Sequence, residues 1–157
     1  MKIIDSFKDD YRFLSNFWFF GNPIAYRGMT YPTVEHFFVA MKTTDLEQRC
    51  TIAKIEKPGA VKRAGRELTL RDDWEDIKYS VMRYGVEWKF QQNPFLTQQL
   101  LDTNNALLIE GNYWHDQTWG NCYCEEHADQ DGQNALGTIL MNTRLTLLAN
   151  ATNPVVR

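Results

Sequence analysis

The segment from Trp74 to Gln91 constrains this chain more than any other. Trp74, Ile77, Val81, Gly85 and Trp88 recur at steps of three and four residues, the period of one buried helix face. Asp72-x-x-Glu75 stands before them with the spacing of a capping box, and Asn93-Pro94 follows them as a stop. A long helix over about residues 73–91 is therefore expected, and the other elements must pack round it.

Those other elements read as short. Ile24–Tyr26 and Met29–Tyr31 form two strands about the turn Arg27-Gly28, because glycine accepts positive φ. Pro32 is expected to open a helix running to about Lys42, Thr44-x-x-Glu47 to cap another through about Ile55, and Pro58 to start a third ending near Leu68. Pro94 opens a short helix through Leu101, and the apolar run Ala106–Ile109 suits a buried strand. Residues 111–131 show no period and form a long loop, whose aromatic residues argue against disorder. Gln133 to Leu148 reads as the last helix. The fold class is α+β, mainly α-helical, with a few short strands: one compact domain over residues 1–150 and a flexible tail over 151–157.

Charge and composition exclude several classes of function. The formal net charge of −3 does not suit a bulk polyanion binder, so any nucleic-acid contact needs a local basic patch. No apolar run reaches the length of a membrane span, and Met1–Ser6 lacks the apolar centre of a signal peptide, so a cytoplasmic protein without a membrane partner is expected. Three cysteines do not make a disulfide framework. Aromatic residues reach 13%, and several stand beside polar ones, which suits stacking on bases or sugars as well as a core.

The residues able to carry chemistry fall in two regions. In Pro32-Thr33-Val34-Glu35-His36-Phe37-Phe38-Val39-Ala40-Met41-Lys42, Glu35 and Lys42 share a stripe, roughly 10 Å apart along the axis at 1.5 Å per residue. That is too far for a salt bridge and fits two ends of one ligand. The plainer alternative makes Glu35 a partner of the helix dipole and Lys42 a solvated cation. His36 lies off that stripe and reads as a neutral core histidine bonded to backbone. Lys62, Arg63 and Arg66 form either a solvated face or a phosphate clamp. In the second region, Asp116 stands among Tyr113, Trp114 and Trp119. Two carboxylates at one anomeric carbon are what glycosidic cleavage uses, while an Asx-turn cap is the alternative for Asp116. His115, Cys122, Cys124 and His127 offer four ligand types, but one residue between the cysteines and eleven between the histidines miss the usual zinc spacing. No metal and no cofactor are expected.

At these residues the chain resembles the NADAR (YbiA-like) family. Ser15-Asn16-Phe17, the Glu35-His36 helix ending in Lys42, Trp74-x-x-x-Lys78, Val81-Met82, Lys89-Phe90, Asp116-x-x-Trp119-Gly120, and Gly132-x-Asn134-x-Leu136-Gly137 leading to Leu140-Met141-x-x-Arg144 occur in family order over nearly the whole chain. The resemblance implies a single YbiA-like domain and a hydrolase that cleaves N-glycosidic bonds of phosphoribosylamino pyrimidines from riboflavin synthesis, or of ADP-ribose joined to a nucleobase. It implies Glu35, Trp74 and Asp116 as residues tied to activity, with Asn16, Lys42, Trp119, Gly120 and Asn134 in the pocket. The implied partner is a small phosphoribosyl or ADP-ribosyl substrate, with ADP-ribosylated nucleic acid as a further class. Val39 stands where relatives often carry Gln, and Asn121-Cys122 where many have small residues ending in Gly, so the substrate is less constrained than the reaction. Two other readings compete: a nucleotide or ADP-ribose binding module without catalysis, and a zinc hydrolase.

Overall fold

The computed structural model describes residues 1–153. The chain is mainly helical with short strands and folds into two compact units, residues 16–93 and residues 1–15 with 94–153.

In the first unit a hairpin leads into four helices. Strands β2 (Ile24–Tyr26) and β3 (Met29–Tyr31) pair antiparallel, Ile24 opposite Tyr31, through Arg27 (φ 47°) and Gly28 (φ 79°). Positive φ at both central residues is the two-residue turn that matches strand twist. Helix α1 spans Val34–Ala40, and its cap is Thr33, whose Oγ1 accepts from the His36 N–H; Pro32 lies before the cap rather than inside the helix. Helix α2 is Leu46–Ala53, capped by Asp45, whose carboxylate takes the Glu47 and Gln48 N–H groups. The cap is thus one residue later than the Thr44-x-x-Glu47 pattern suggests, because a carboxylate is the stronger acceptor. Helix α3 runs from Pro58 to Ala64 and closes in a 3-10 turn, Gly65–Glu67.

Helix α4 covers Trp74–Gln91. Its buried residues are Trp74, Met82, Gly85, Val86, Lys89 and Phe90, so the inward face is rotated from the expected stripe. Ile77, Val81 and Trp88 sit at its margins. Lys89 lies on that inward face, with its side chain 1% exposed. Asp73 makes no side-chain cap; its carboxylate pairs with Arg71 at 2.5 and 3.0 Å.

Helix α1 is the core of this unit. It packs against α2, α3 and α4, and six of its seven residues are buried, Glu35 being the exception. Phe37 anchors it among the rings of Tyr26, Tyr31 and Tyr84, with centroids 5.4–5.7 Å away.

The second unit begins with β1 (Ile3–Ile4), which pairs parallel with β4 (Leu107–Leu108). A 3-10 turn over Asp9–Leu14 buries Phe13 and Leu14, and helix α5 covers Pro94–Asp102. Residues 111–131 are not a featureless loop. They hold β5 (Gly111–Asn112) and β6 (Asn121–Cys122), paired parallel, and a 3-10 turn at Glu125–His127. These pieces are too short for a hydropathy period to register. Helix α6 runs Ala135–Thr152, beyond the expected end at Leu148, so the segment read as a tail is helical to Thr152; residues 154–157 lie outside the described residues. Among the described residues, no helix is long and apolar enough to cross a membrane.

Candidate active site

The first turn of α1 explains why Glu35 and His36 diverge in role. His36 is fully buried. Its Nδ1 lies 2.7 Å from Thr33 Oγ1 and its Nε2 lies 2.7 Å from the Ile55 carbonyl. A carbonyl only accepts, so the proton belongs on Nε2. Burial pushes the pKa of His36 down, which keeps the ring neutral. It is the backbone-bonded core histidine that its place off the stripe suggests.

Glu35 turns the other way. Its N–H donates to the Asn16 carbonyl at 3.0 Å. Asn16 is itself buried; its Nδ2 donates to Met82 Sδ at 3.4 Å, while its Oδ1 is buried with no hydrogen-bond partner in the protein. Leaving such an acceptor unmatched costs about 1–3 kcal/mol.

Lys42 follows α1 in its closing turn, with its N–H on the Val39 carbonyl at 3.1 Å. Its Nζ lies 5.5 Å from the Phe38 ring centre and 6.0 Å from that of Trp74. These two rings meet edge to face at 5.0 Å. Burial pushes the Lys42 pKa down, the Glu35 carboxylate counteracts this, and Lys62 adds to it. Lys42 therefore feels the charges of both Glu35 and Lys62 beside the Phe38–Trp74 pair. A Cβ on Gly65 would lie 3.9 Å from Lys42 Nζ and 3.0 Å from Val39 Cγ1, so the turn after α3 closes on this wall. Arg63 and Arg66 are exposed, and Arg63 Nη1 lies 3.8 Å from where a Cβ on Gly59 would stand, back along α3. Among the basic residues of that helix, Lys62 is the one whose charge reaches Lys42.

In the other unit the predicted residues are tied to backbone. Asp116 Oδ1 accepts from the N–H groups of Thr118 and Trp119 at 3.1 and 2.8 Å. This is the Asx-type cap that stood as the alternative for it. The Trp119 carbonyl accepts from the Leu136 N–H at 3.0 Å. Asn134 stands at φ 49° before α6; its Oδ1 accepts from the Glu110 N–H at 3.1 Å and its Nδ2 donates to the Leu108 carbonyl at 2.9 Å. Gly120 is not needed for a positive φ. It is buried, and a Cβ there would collide with the Glu110 carbonyl oxygen. Arg144 is buried too, donating to Thr103 Oγ1 at 2.6 Å and to the Ala106 carbonyl at 2.8 Å.

The model of the NADAR domain family matches residues 4–148. This chain belongs to the NADAR family. It is 38% identical to the N-glycosidase YbiA of Escherichia coli over 143 residues, which cover 88% of this chain and 83% of that one. It is 34% identical to a riboflavin biosynthesis protein of Vibrio vulnificus, over 91% of this chain but 37% of that longer protein. The NMR structure of E. coli YbiA superimposes with a TM-score of 0.80 at 36% identity, covering 97% of this chain and 88% of that one.

Sequence reasoning missed three features of these NADAR units. Asn112 organises the start of the 111–131 segment: its Oδ1 accepts from the Trp114 and Asp116 N–H groups, and its Nδ2 donates to the Asp116 carbonyl. Its signal was its place between Gly111 and the aromatic run. Lys89 hides in the core, with burial lowering its pKa to about 7. Its signal was its place in the Lys89-Phe90 motif, but nothing local shows that it is buried. Finally, the donor atoms of His115, Cys122, Cys124 and His127 converge to within 4.8 Å of one another, against the expectation drawn from their spacing.

Proposed function

We propose that this N-glycosidase hydrolyses the bond between ribose C1′ and a nitrogen of a pyrimidine- or purine-type base, with a phosphate or ADP group on the ribose, and that Glu35 is its catalytic carboxylate. The observation that carries this reading is the arrangement on α1: a carboxylate in the first helical turn, a lysine at the far end, and an apolar Phe38–Trp74 wall beside them. The names of the relatives, an N-glycosidase and a riboflavin biosynthesis protein, agree with it.

In the proposed reaction the C1′–N bond breaks, its electron pair stays on the base nitrogen, and positive charge develops over C1′ and the ring oxygen. A carboxylate beside that centre stabilises the cation and orients water for attack. The water oxygen bonds to C1′, one proton goes to the departing nitrogen, and the products are the free sugar phosphate and the free base. In this reading Lys42 and Lys62 hold the phosphate end. Asn16 Oδ1 accepts from a ribose hydroxyl or base N–H. The exposed rings of Phe17, Trp18 and Phe19, directly after Asn16, supply stacking surface for the base.

Incubation of the purified chain with a phosphoribosylamino pyrimidine and, separately, with ADP-ribosylated guanine tests the substrate class. Release of ribose 5-phosphate from the first identifies a riboflavin-type substrate, and release of ADP-ribose from the second an ADP-ribosyl one. Tight binding of both with release from neither supports the non-catalytic module instead. Glu35→Gln keeps the size and hydrogen bonding of the side chain but removes its charge, and turnover is expected to fall by about 10²-fold or more. Near wild-type turnover of that variant removes Glu35 from the role.

A further inference from the structure

We propose that His115, Cys122, Cys124 and His127 form a closed four-coordinate site for a zinc-class divalent cation, which staples the 111–131 segment.

The distances suit an ion better than a hydrogen-bond network. Cys124 Sγ lies 3.4 Å from His115 Nδ1 and 3.2 Å from His127 Nδ1, and the two Nδ1 atoms lie 3.4 Å apart. Cys122 Sγ completes the set, with all four donor atoms within 4.8 Å of one another. A tetrahedron built on the usual zinc–nitrogen and zinc–sulfur bonds has edges of about 3.3 Å between nitrogens and about 3.6 Å between nitrogen and sulfur. A thiol has one proton to give, yet Cys124 faces both imidazole nitrogens at nearly equal distance while they face each other. Lone pairs converging on one point are what a cation satisfies.

The donor chemistry selects the ion class. Two thiolates and two imidazoles suit zinc over the hard, oxygen-seeking cations, and two thiolates neutralise a divalent charge. Four protein donors leave no position open for substrate, which marks a structural site rather than a hydrolytic centre.

The segment also needs a staple. Strands β5 and β6 are parallel, yet only residues 113–120 connect them, where parallel pairs ordinarily use a crossover of about a dozen residues or more. Tyr113, Trp114 and Tyr123 are 66%, 55% and 40% exposed, so little apolar burial holds the segment down. His115 takes φ 67°, a conformation that costs a residue with a side chain and persists where its surroundings enforce it. An ion here would tie His115, next to Asp116, to Cys122 on β6 and to the Glu125–His127 turn. The site would thereby fix the stretch that carries Asp116 and Trp119. The competing explanation is a protonated His115 paired with Glu126, whose Oε2 lies 3.5 Å from His115 Nδ1.

The proposal does not depend on the glycosidase reading and is tested without an activity assay. The full chain, expressed with zinc in the medium and purified under a phosphine reductant, is expected to carry one zinc per chain by elemental analysis. Cys50→Ser and Glu126→Gln should keep the metal, and Cys124→Ser and His127→Ala should lose it. Replacing the ion in the wild-type chain by cobalt(II) should give the visible d–d bands of a tetrahedral site together with thiolate-to-cobalt charge transfer, a readout that stands even where a variant fails to fold. A chain that carries no stoichiometric metal and gives no such bands on cobalt titration overturns the proposal. Metal lost in Glu126→Gln but kept in Cys124→Ser overturns it as well.

Discussion

The face of α1 that carries Glu35 and the stretch 108–134 use polar side chains differently. Around α1, charged groups stand beside an aromatic pair: Glu35 and Lys42 feel each other's charge, and Asn16 Oδ1 is left without a protein donor. Between β4 and α6, Asn112, Asp116 and Asn134 hold the chain through its own N–H and C=O groups. The same kinds of motif residue thus gather beside an aromatic pair in one region and tie a loop to itself in the other. A satisfied amide or carboxylate is a strut, and an unsatisfied one beside a charged wall is a candidate for binding.

Truncation on each side sharpens that contrast. Trp74→Ala removes a side chain that is 6% exposed and packed edge to face against Phe38, so unfolding in urea should show a loss of about 3–5 kcal/mol, together with lost activity. Trp119→Ala should cost far less stability; equal losses would place Trp119 in a core of its own. Asn134→Ala breaks two bonds to backbone and puts alanine at φ 49°. It should cost about 2 kcal/mol of stability, and thermal melts that match the wild type would show that the strut reading is mistaken. Lys42→Ala should do the reverse: about tenfold weaker binding of a phosphate-bearing ligand, about 1.4 kcal/mol, with the melting temperature nearly unchanged.

Much of this was legible in the residues. Long α4, the β2–β3 hairpin and the place of α1 follow from periodicity and turn chemistry, which are local. What was hidden is what depends on partners distant in sequence. Asn134 reads as a pocket residue until Leu108 and Glu110 are seen to engage it. The cysteines and histidines of 115–127 fit no linear spacing, because a turn and a parallel strand pair bring them together. Lys89 looks like surface because nothing local distinguishes a buried lysine.

That buried lysine supplies a prediction about pH rather than about truncation. Its folded pKa of about 7 lies below the ordinary lysine value, so above pH 7 the unfolded chain holds a proton that the folded chain does not. The stability contribution is therefore lowest at and below pH 7 and rises towards the unfolded pKa near ~10.4. Urea midpoints between pH 7 and pH ~9.5 should climb more in the wild type than in Lys89→Met, and parallel curves would show that Lys89 does not titrate in that window.

The central claim, that the α1 face is the ligand site, is tested most directly by NMR titration of the labelled chain with ribose 5-phosphate and with ADP-ribose. The account predicts that the Asn16 side-chain amide and the backbone signals of Glu35, Lys42, Lys62 and Trp74 move on saturation, while the Asn112 and Asn134 side-chain amides stay. Saturating ligand that leaves the Asn16 amide and the α1 signals in place, or that moves the Asn134 amide instead, would contradict it.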